Sequence, residues 1–161
     1  MRCWTLLAAG SLYCSAMLAL AADWQPAANT LTTPWTKDVS PTNAHPQHPQ
    51  PQLVRDSWAN LNGLWEYAIR GKDESQPEAF DGRILVPYPV ESALSGVKKA
   101  VGPDRRLWYR REFQVPEFAK GKRLLLHFQA VDWYAQVWLN GKLFGEHKGG
   151  YDRSRLTLPT R

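Results

Sequence analysis

From residue 53 onward, apolar side chains recur at every second position in short runs, and glycine, proline and aspartate punctuate those runs. Strict alternation places successive side chains on opposite faces of an extended chain, which is the signature of a half-buried strand and is incompatible with a helical stripe. The strongest run is 107–115, where Leu107, Tyr109, Phe113 and Val115 share one face with Arg111, and Trp108, Arg110, Glu112 and Gln114 share the other. Residues 122–128 follow, with Leu124, Leu126 and Phe128 opposed to Leu125 and His127. Next, 133–139 sets Trp133, Ala135, Val137 and Leu139 against Tyr134, Gln136 and Trp138. Asn140-Gly141 then predicts a two-residue hairpin turn into 142–147, because both central residues of a type I′ turn need positive φ. Runs at 61–69 and 84–86 complete a set of about six strands. The nearest helical candidate, 90–99, is broken by Gly96. These features predict an all-β fold, an antiparallel sandwich or jelly roll over residues 53–161.

Two segments precede it. Residues 23–52 hold six of the 12 prolines, Pro26, Pro34, Pro41, Pro46, Pro49 and Pro51. Each removes a backbone donor and fixes φ, so the segment is expected to be an extended arm or linker. His45 and His48 lie in it without a third ligand nearby, so no metal site is expected. Residues 1–22 combine Arg2, an apolar run from Leu6 to Leu20 and the small-residue pattern Ala19-Leu20-Ala21. That order predicts a secretory signal peptide; the run is too short to span a bilayer and contains Ser11 and Ser15. Cys3 and Cys14 both fall inside it. The expected location is secreted or periplasmic, with no membrane attachment after cleavage and a core that does without disulfides.

The chemistry is constrained as much by what is missing. There are 20 Lys and Arg against 15 Asp and Glu, a net charge of +5, with the signs interleaved and no basic stripe, so no nucleic-acid partner is expected. No Gly-x-Ser-x-Gly elbow, phosphate-binding glycine loop, His-Glu-x-x-His or cysteine cluster occurs, and no cofactor is expected. Glu66, Glu112, Asp132 and Glu146 sit in aromatic surroundings, but Glu112 shares a strand face with Arg110, which points to an ion pair, and Asp132 opens a strand after a bend, where aspartate satisfies turn amides. Aromatic content is more informative. Sugars are held by CH faces stacked on rings together with hydrogen bonds to hydroxyls, and Trp108 and Trp138, opposite the more aliphatic faces of their strands, are candidates for lining such a surface. Packing in the core or against another domain is the alternative for both.

Several stretches carry a resemblance. Leu61-Asn62-Gly63-Leu64-Trp65, Pro87-Tyr88-Pro89-Val90-Glu91-Ser92-Ala93-Leu94-Ser95-Gly96-Val97 and Leu107-Trp108-Tyr109-Arg110-Arg111-Glu112-Phe113 are similar to the N-terminal sugar-binding domain of glycoside hydrolase family 2. Val131-Asp132-Trp133-Tyr134-Ala135-Gln136-Val137-Trp138-Leu139-Asn140-Gly141 and Phe144-Gly145-Glu146-His147-Lys148-Gly149-Gly150-Tyr151-Asp152 continue it, so it covers roughly residues 50–152. The family includes β-galactosidases, β-glucuronidases and β-mannosidases. The resemblance implies a galactose-binding-like jelly roll that is not itself catalytic, followed in such enzymes by an immunoglobulin-like domain and a (β/α)₈ barrel bearing both catalytic glutamates. A barrel takes about 250 residues, more than these 161. No catalytic residue is therefore assigned. The reaction implied for the family is retaining hydrolysis of a β-glycosidic bond, and the implied partners are a carbohydrate and the two further domains.

In family members the loop after the hairpin approaches the sugar site. Here that loop makes Glu146, His147 and Asp152 substrate-binding candidates beside Trp108 and Trp138; Gly149-Gly150 stands where some members carry an acidic residue, and a glycine pair that only lets the hairpin end curl is the alternative. After Asp152 the family continues Pro-Phe, a variable residue, an apolar residue and Asp-Ile-Thr, whereas this chain has Arg153-Ser154-Arg155-Leu156-Thr157-Leu158-Pro159-Thr160-Arg161. One base inserted after the Asp152 codon of a permitted back-translation restores Asp-Pro-Phe-Thr-Leu-Asp-Ile-Thr-Asp. Residues 152–161 are accordingly expected to be a frameshift tail, with a naturally short module as the alternative. Under that expectation the jelly roll is incomplete at its C-terminus, and Leu139 and Phe144 lack partners.

Overall fold

Strand β1, Gly63–Gly71, is the centre of a three-stranded antiparallel sheet, flanked by β2, Gly82–Val86, and β3, Arg105–Arg110. The computed structural model describes residues 24–28, 30–119 and 121–158, so the proposed signal peptide at 1–22 lies outside the described residues. The chain divides into two units, one joining the residues up to Gln47 with Leu61–Arg111, the other joining His48–Asn60 with the residues from Glu112 on. All strand pairing is antiparallel and the described helical turns are short 3₁₀ turns, so the fold class is all-β as expected.

In the first unit, register puts Trp65 opposite Ile84, Tyr67 opposite Tyr109 and Ile69 opposite Leu107. One face of the sheet thereby gathers the apolar positions of three strands. Tyr67, Ile84 and Val90 form its buried centre, with Trp65, Ile69, Val86, Val97, Val101 and Leu107 packed around them. The opposite face is also covered in part, since Ala68 and Leu85 are fully buried and Trp108, opposite Ala68, keeps only 9% of its surface exposed. Alternation alone assigned Tyr109 to the inner set, yet 40% of it is exposed. Its ring meets Trp65 edge-on at 6.5 Å at the margin of the core.

Strand β3 stops at Arg110, short of the expected Val115. The reason lies in Arg111, whose guanidinium Nη1 donates to the carbonyls of Asn62 (3.2 Å) and Leu64 (3.3 Å) at the start of β1. A side chain takes the acceptors that a continued β3 backbone would use, so the ladder ends there. The ion pair expected between Arg110 and Glu112 forms instead across the sheet. Glu66 lies directly opposite Arg110 in register, and Arg110 Nε donates to its Oε2 at 2.6 Å.

Among its described residues the proline-rich segment has no strand of its own, and its part up to Gln47 is tied to this unit. Ala27 N–H donates to Ala93 O at 2.9 Å, and Asn62 Nδ2 donates to Ala44 O at 3.0 Å beside buried Ala44. Pro34–Asp38 forms a 3₁₀ turn.

The second unit holds β4, Leu124–Phe128; β5, Tyr134–Leu139; β6, Lys142–Lys148; and β7, Ser154–Leu158. The pairs are β4 with β7 and β5 with β6. Leu124 faces Leu158 and Leu126 faces Leu156, so one face of β4–β7 is apolar while His127, Arg155 and Thr157 occupy the other. Residues 154–158 thus form a strand whose leucines cover those of β4. Leu139 and Phe144 are half-buried. The apolar face meets the β5–β6 hairpin closely: a Cβ placed on Gly145 would stand 2.6 Å from Leu156 Cδ2. Glycine at 145 is what lets the two ribbons approach.

Candidate carbohydrate-binding face

The β5–β6 hairpin is built as its sequence predicts at the turn. Asn140 (φ 49°) and Gly141 (φ 78°) both adopt the left-handed conformation that a type I′ turn needs. Beyond the turn the ladder is irregular. Leu139 pairs with Lys142 and Trp138 with Leu143, but Val137 then pairs with Gly145, leaving Phe144 as the extra residue of a bulge. One extra residue inverts every later side chain relative to a regular hairpin. It turns Glu146 and Lys148 to the face of Tyr134 and Gln136, and turns Gly145 and His147 inward with Val137 and Ala135.

The outer face therefore carries Tyr134, Gln136 and Trp138 from β5 and Leu143, Glu146 and Lys148 from β6. Gln136 Nε2 donates to Glu146 Oε1 at 2.7 Å. Lys148 Nζ stands 5.3 Å from the Tyr134 ring centre. The Gln136 amide, the Tyr134 hydroxyl and the Lys148 charge hold the Glu146 carboxyl below the usual carboxylate range. An ionised, fixed carboxylate accepts hydrogen bonds from hydroxyls and does not act as a proton donor at neutral pH. Glu146 is also the only carboxylate that β5 and β6 contribute, so these strands do not supply the pair a glycosidase requires. Rings beside a hydrogen-bonded amide and carboxylate make a surface suited to binding a saccharide.

Of the residues singled out from sequence, Trp138 and Glu146 come together on this face. His147 lies on the inner face, its Nε2 buried and without a hydrogen-bond partner among the described residues. Asp152 lies past the end of the hairpin near His147: a Cβ on Gly149 would be 3.2 Å from Asp152 Oδ2 and 3.5 Å from His147 Nε2. The same loop shows why glycines occur there. Gly149 has φ 137° and donates its N–H to Trp133 O at 2.7 Å, and a Cβ on Gly150 would lie 2.6 Å from Asp132 Oδ1. Both observations favour a curled hairpin end. Trp108 belongs to the other unit and is buried, which leaves little ring surface for stacking. His45 and His48 fall in different units and meet Tyr88 and Trp58 respectively, at ring separations of 5.7 and 4.8 Å. Sequence reasoning passed over Tyr134 and Gln136, although the period-two pattern that selected Trp138 places both on its face.

The antiparallel all-β fold agrees with the class of protein that a family match gives, the galactose-binding-like domains. Residues 97–159 match the model of the glycosyl hydrolase 2 galactose-binding domain-like family. The chain is 26% identical to a β-glucuronidase of Paenibacillus borealis over 124 residues, covering 70% of this chain and 21% of that one. A β-galactosidase of Thermoanaerobacter pseudethanolicus is 52% identical over 44 residues, 27% of this chain and 6% of that protein. Among solved structures, a Faecalibacterium prausnitzii β-glucuronidase superposes with a TM-score of 0.50 and 27% identity over 65% of this chain and 19% of the other. The chain carries the galactose-binding-like N-terminal domain of glycoside hydrolase family 2 and is homologous to part of its β-glucuronidases and β-galactosidases. It spans about a fifth or less of the length of these relatives.

Proposed function

We propose that this domain binds a β-glycoside without cleaving it, and that it serves an exported family 2 glycosidase whose catalytic barrel lies outside these residues. The homology of residues 97–159 to the galactose-binding-like domain carries the reading. The outer face of β5–β6 supports it, because Trp138 and Tyr134 offer ring surface next to the fixed Gln136–Glu146 pair.

The test is titration of the chain with β-galactosides, β-glucuronides and their oligomers, followed by tryptophan fluorescence and calorimetry. Saturable binding that weakens at least tenfold in Trp138→Ala, with no release of chromogenic aglycone, is the expected result. Silence toward all saccharides, together with binding to a separately expressed barrel domain, would replace the reading with one of a packing module. Steady turnover of a chromogenic glycoside by the pure chain would overturn it altogether.

A further inference from the structure

The outer face of β5–β6 is ordered in rows. Trp138 stands directly opposite Leu143, Gln136 opposite Glu146 and Tyr134 opposite Lys148. Side chains paired across a ladder are close neighbours, so each row is one small platform. The first is apolar, the second carries the 2.7 Å hydrogen bond from Gln136 to Glu146, and the third is the Tyr134 ring with Lys148 Nζ 5.3 Å from its centre. The face is open: Tyr134 is 42% and Leu143 52% exposed, and Glu146 and Lys148 are exposed as well. Each residue of a strand advances about 3.3 Å, so the backbone positions of Tyr134 and Trp138 lie about 13 Å apart. One pyranose ring is too small to stack on both. Two β-linked rings span them, with apolar CH faces on the outer rows and the hydroxyls between those rings over the amide and the carboxylate. The Gln136 amide keeps donor and acceptor capacity beyond its bond to Glu146, and the carboxylate has further lone pairs. The strands place one carboxylate, Glu146, and one ammonium, Lys148, on this face, so neither charge is unopposed.

We infer that this face takes a neutral, β-linked oligosaccharide of at least two sugar units, one ring on Trp138 and Leu143, the next on Tyr134, and the hydroxyls between them on Gln136 and Glu146. That the ligand is a saccharide rests on the reading above; its length and charge rest on the spacing and composition of the rows. A uronate carboxylate at the middle row would meet the Glu146 carboxylate, while Lys148 lies one row further on against the Tyr134 ring. Repulsion between exposed charges is screened by water and salt, so acidic sugars are disfavoured several-fold and not absolutely excluded.

The experiment titrates the chain, Tyr134→Ala, Tyr134→Phe and Glu146→Gln by calorimetry with methyl β-galactoside, lactose and a disaccharide of the same linkage that carries glucuronate in place of galactose. Lactose should bind the parent chain about tenfold tighter than methyl β-galactoside. Tyr134→Ala should bring these two ligands to about equal affinity, and Tyr134→Phe, which keeps the ring, should retain most of the difference. The acidic disaccharide should bind several-fold more weakly than lactose, and Glu146→Gln should narrow that gap. Equal affinity of the parent for methyl β-galactoside and lactose, or an advantage of lactose that survives Tyr134→Ala, overturns the two-ring site and leaves the carbohydrate reading standing. The comparison of ligands on the parent needs no variant, so it decides the length even where a substitution prevents folding. An acidic disaccharide bound as tightly as lactose overturns the preference for neutral sugars. Silence toward all three ligands overturns the carbohydrate reading itself, and the two-ring site with it.

Discussion

Replacing Gly145 with alanine tests how the two ribbons of the second unit are held together. The new Cβ would sit 2.6 Å from Leu156 Cδ2 and 3.4 Å from Cδ1, whereas carbon pairs are most stable at about 3.5–4.0 Å. Leu156 must therefore withdraw by about 1 Å, and it is confined by its pairing opposite Leu126. Overpacking of this kind costs about 1–3 kcal/mol, or roughly 4–8 °C in Tm for each kcal/mol in a domain of this size. Leu156→Ala alone costs about 2 kcal/mol, near the lower end for a leucine because the residue is only partly buried. With Leu156 already truncated, the clashing atoms are gone and Gly145→Ala becomes nearly neutral, since alanine is no worse than glycine in a strand. The double-mutant cycle should thus show a favourable coupling of about 1–2 kcal/mol. Urea unfolding of the four proteins, read as shifts in midpoint at constant slope, supplies the numbers. Additivity within about 0.3 kcal/mol would refute the contact between the ribbons.

The remaining predictions concern the turn, an acid-sensitive contact and export. Gly141 and Gly102 both have open space where a Cβ would go, but only Gly141 has positive φ; Gly141→Ala should cost about 1 kcal/mol while Gly102→Ala is neutral or stabilising by a few tenths, as read from urea midpoints. Asp81 accepts from Ile69 N–H at 2.9 Å and from Arg70 Nη1 at 2.7 Å, and these contacts, the backbone one foremost, hold its carboxyl below the usual range. Because the folded state lowers this value, the contact stabilises above the unfolded carboxyl range near pH 4 and is lost as the pH falls through the folded value. Asp81→Asn should therefore cost about 1 kcal/mol at pH 7 after allowance for solvent screening and almost nothing at pH 2; an equal cost at both pH values would contradict it. Expressed in a bacterium with its first 22 residues, the chain should be recovered outside the cytoplasm beginning at Asp23, which N-terminal sequencing checks.

Legibility of the candidate face stops at the bulge. Counting back from a regular two-residue turn pairs Glu146 with Ala135 and turns it inward; the extra residue at Phe144 pairs it with Gln136 and turns it outward. A hydrophobic pattern interrupted by Phe144-Gly145 holds no unambiguous mark of that insertion, because phenylalanine fits either face. Strand β3 shows a similar limit. Its alternation defines two faces, but both Trp108 and Tyr109 are apolar enough to be buried, and the register against Ala68 and the cover of the sheet decide which one is.

The sequence by itself determined the strand class, the position of the hairpin turn and the kinship with family 2, since alternation, turn stereochemistry and motif order are local properties written along the chain. Only the tertiary structure decided where β3 ends, that Ser154–Leu158 pairs with β4 and so sets Arg155 opposite His127, and that the proline-rich segment up to Gln47 is tied to the first unit. Each of those depends on a partner distant in sequence. Which backbone acceptor, which leucine row or which cation lies opposite is set by packing and register, and no local pattern encodes it.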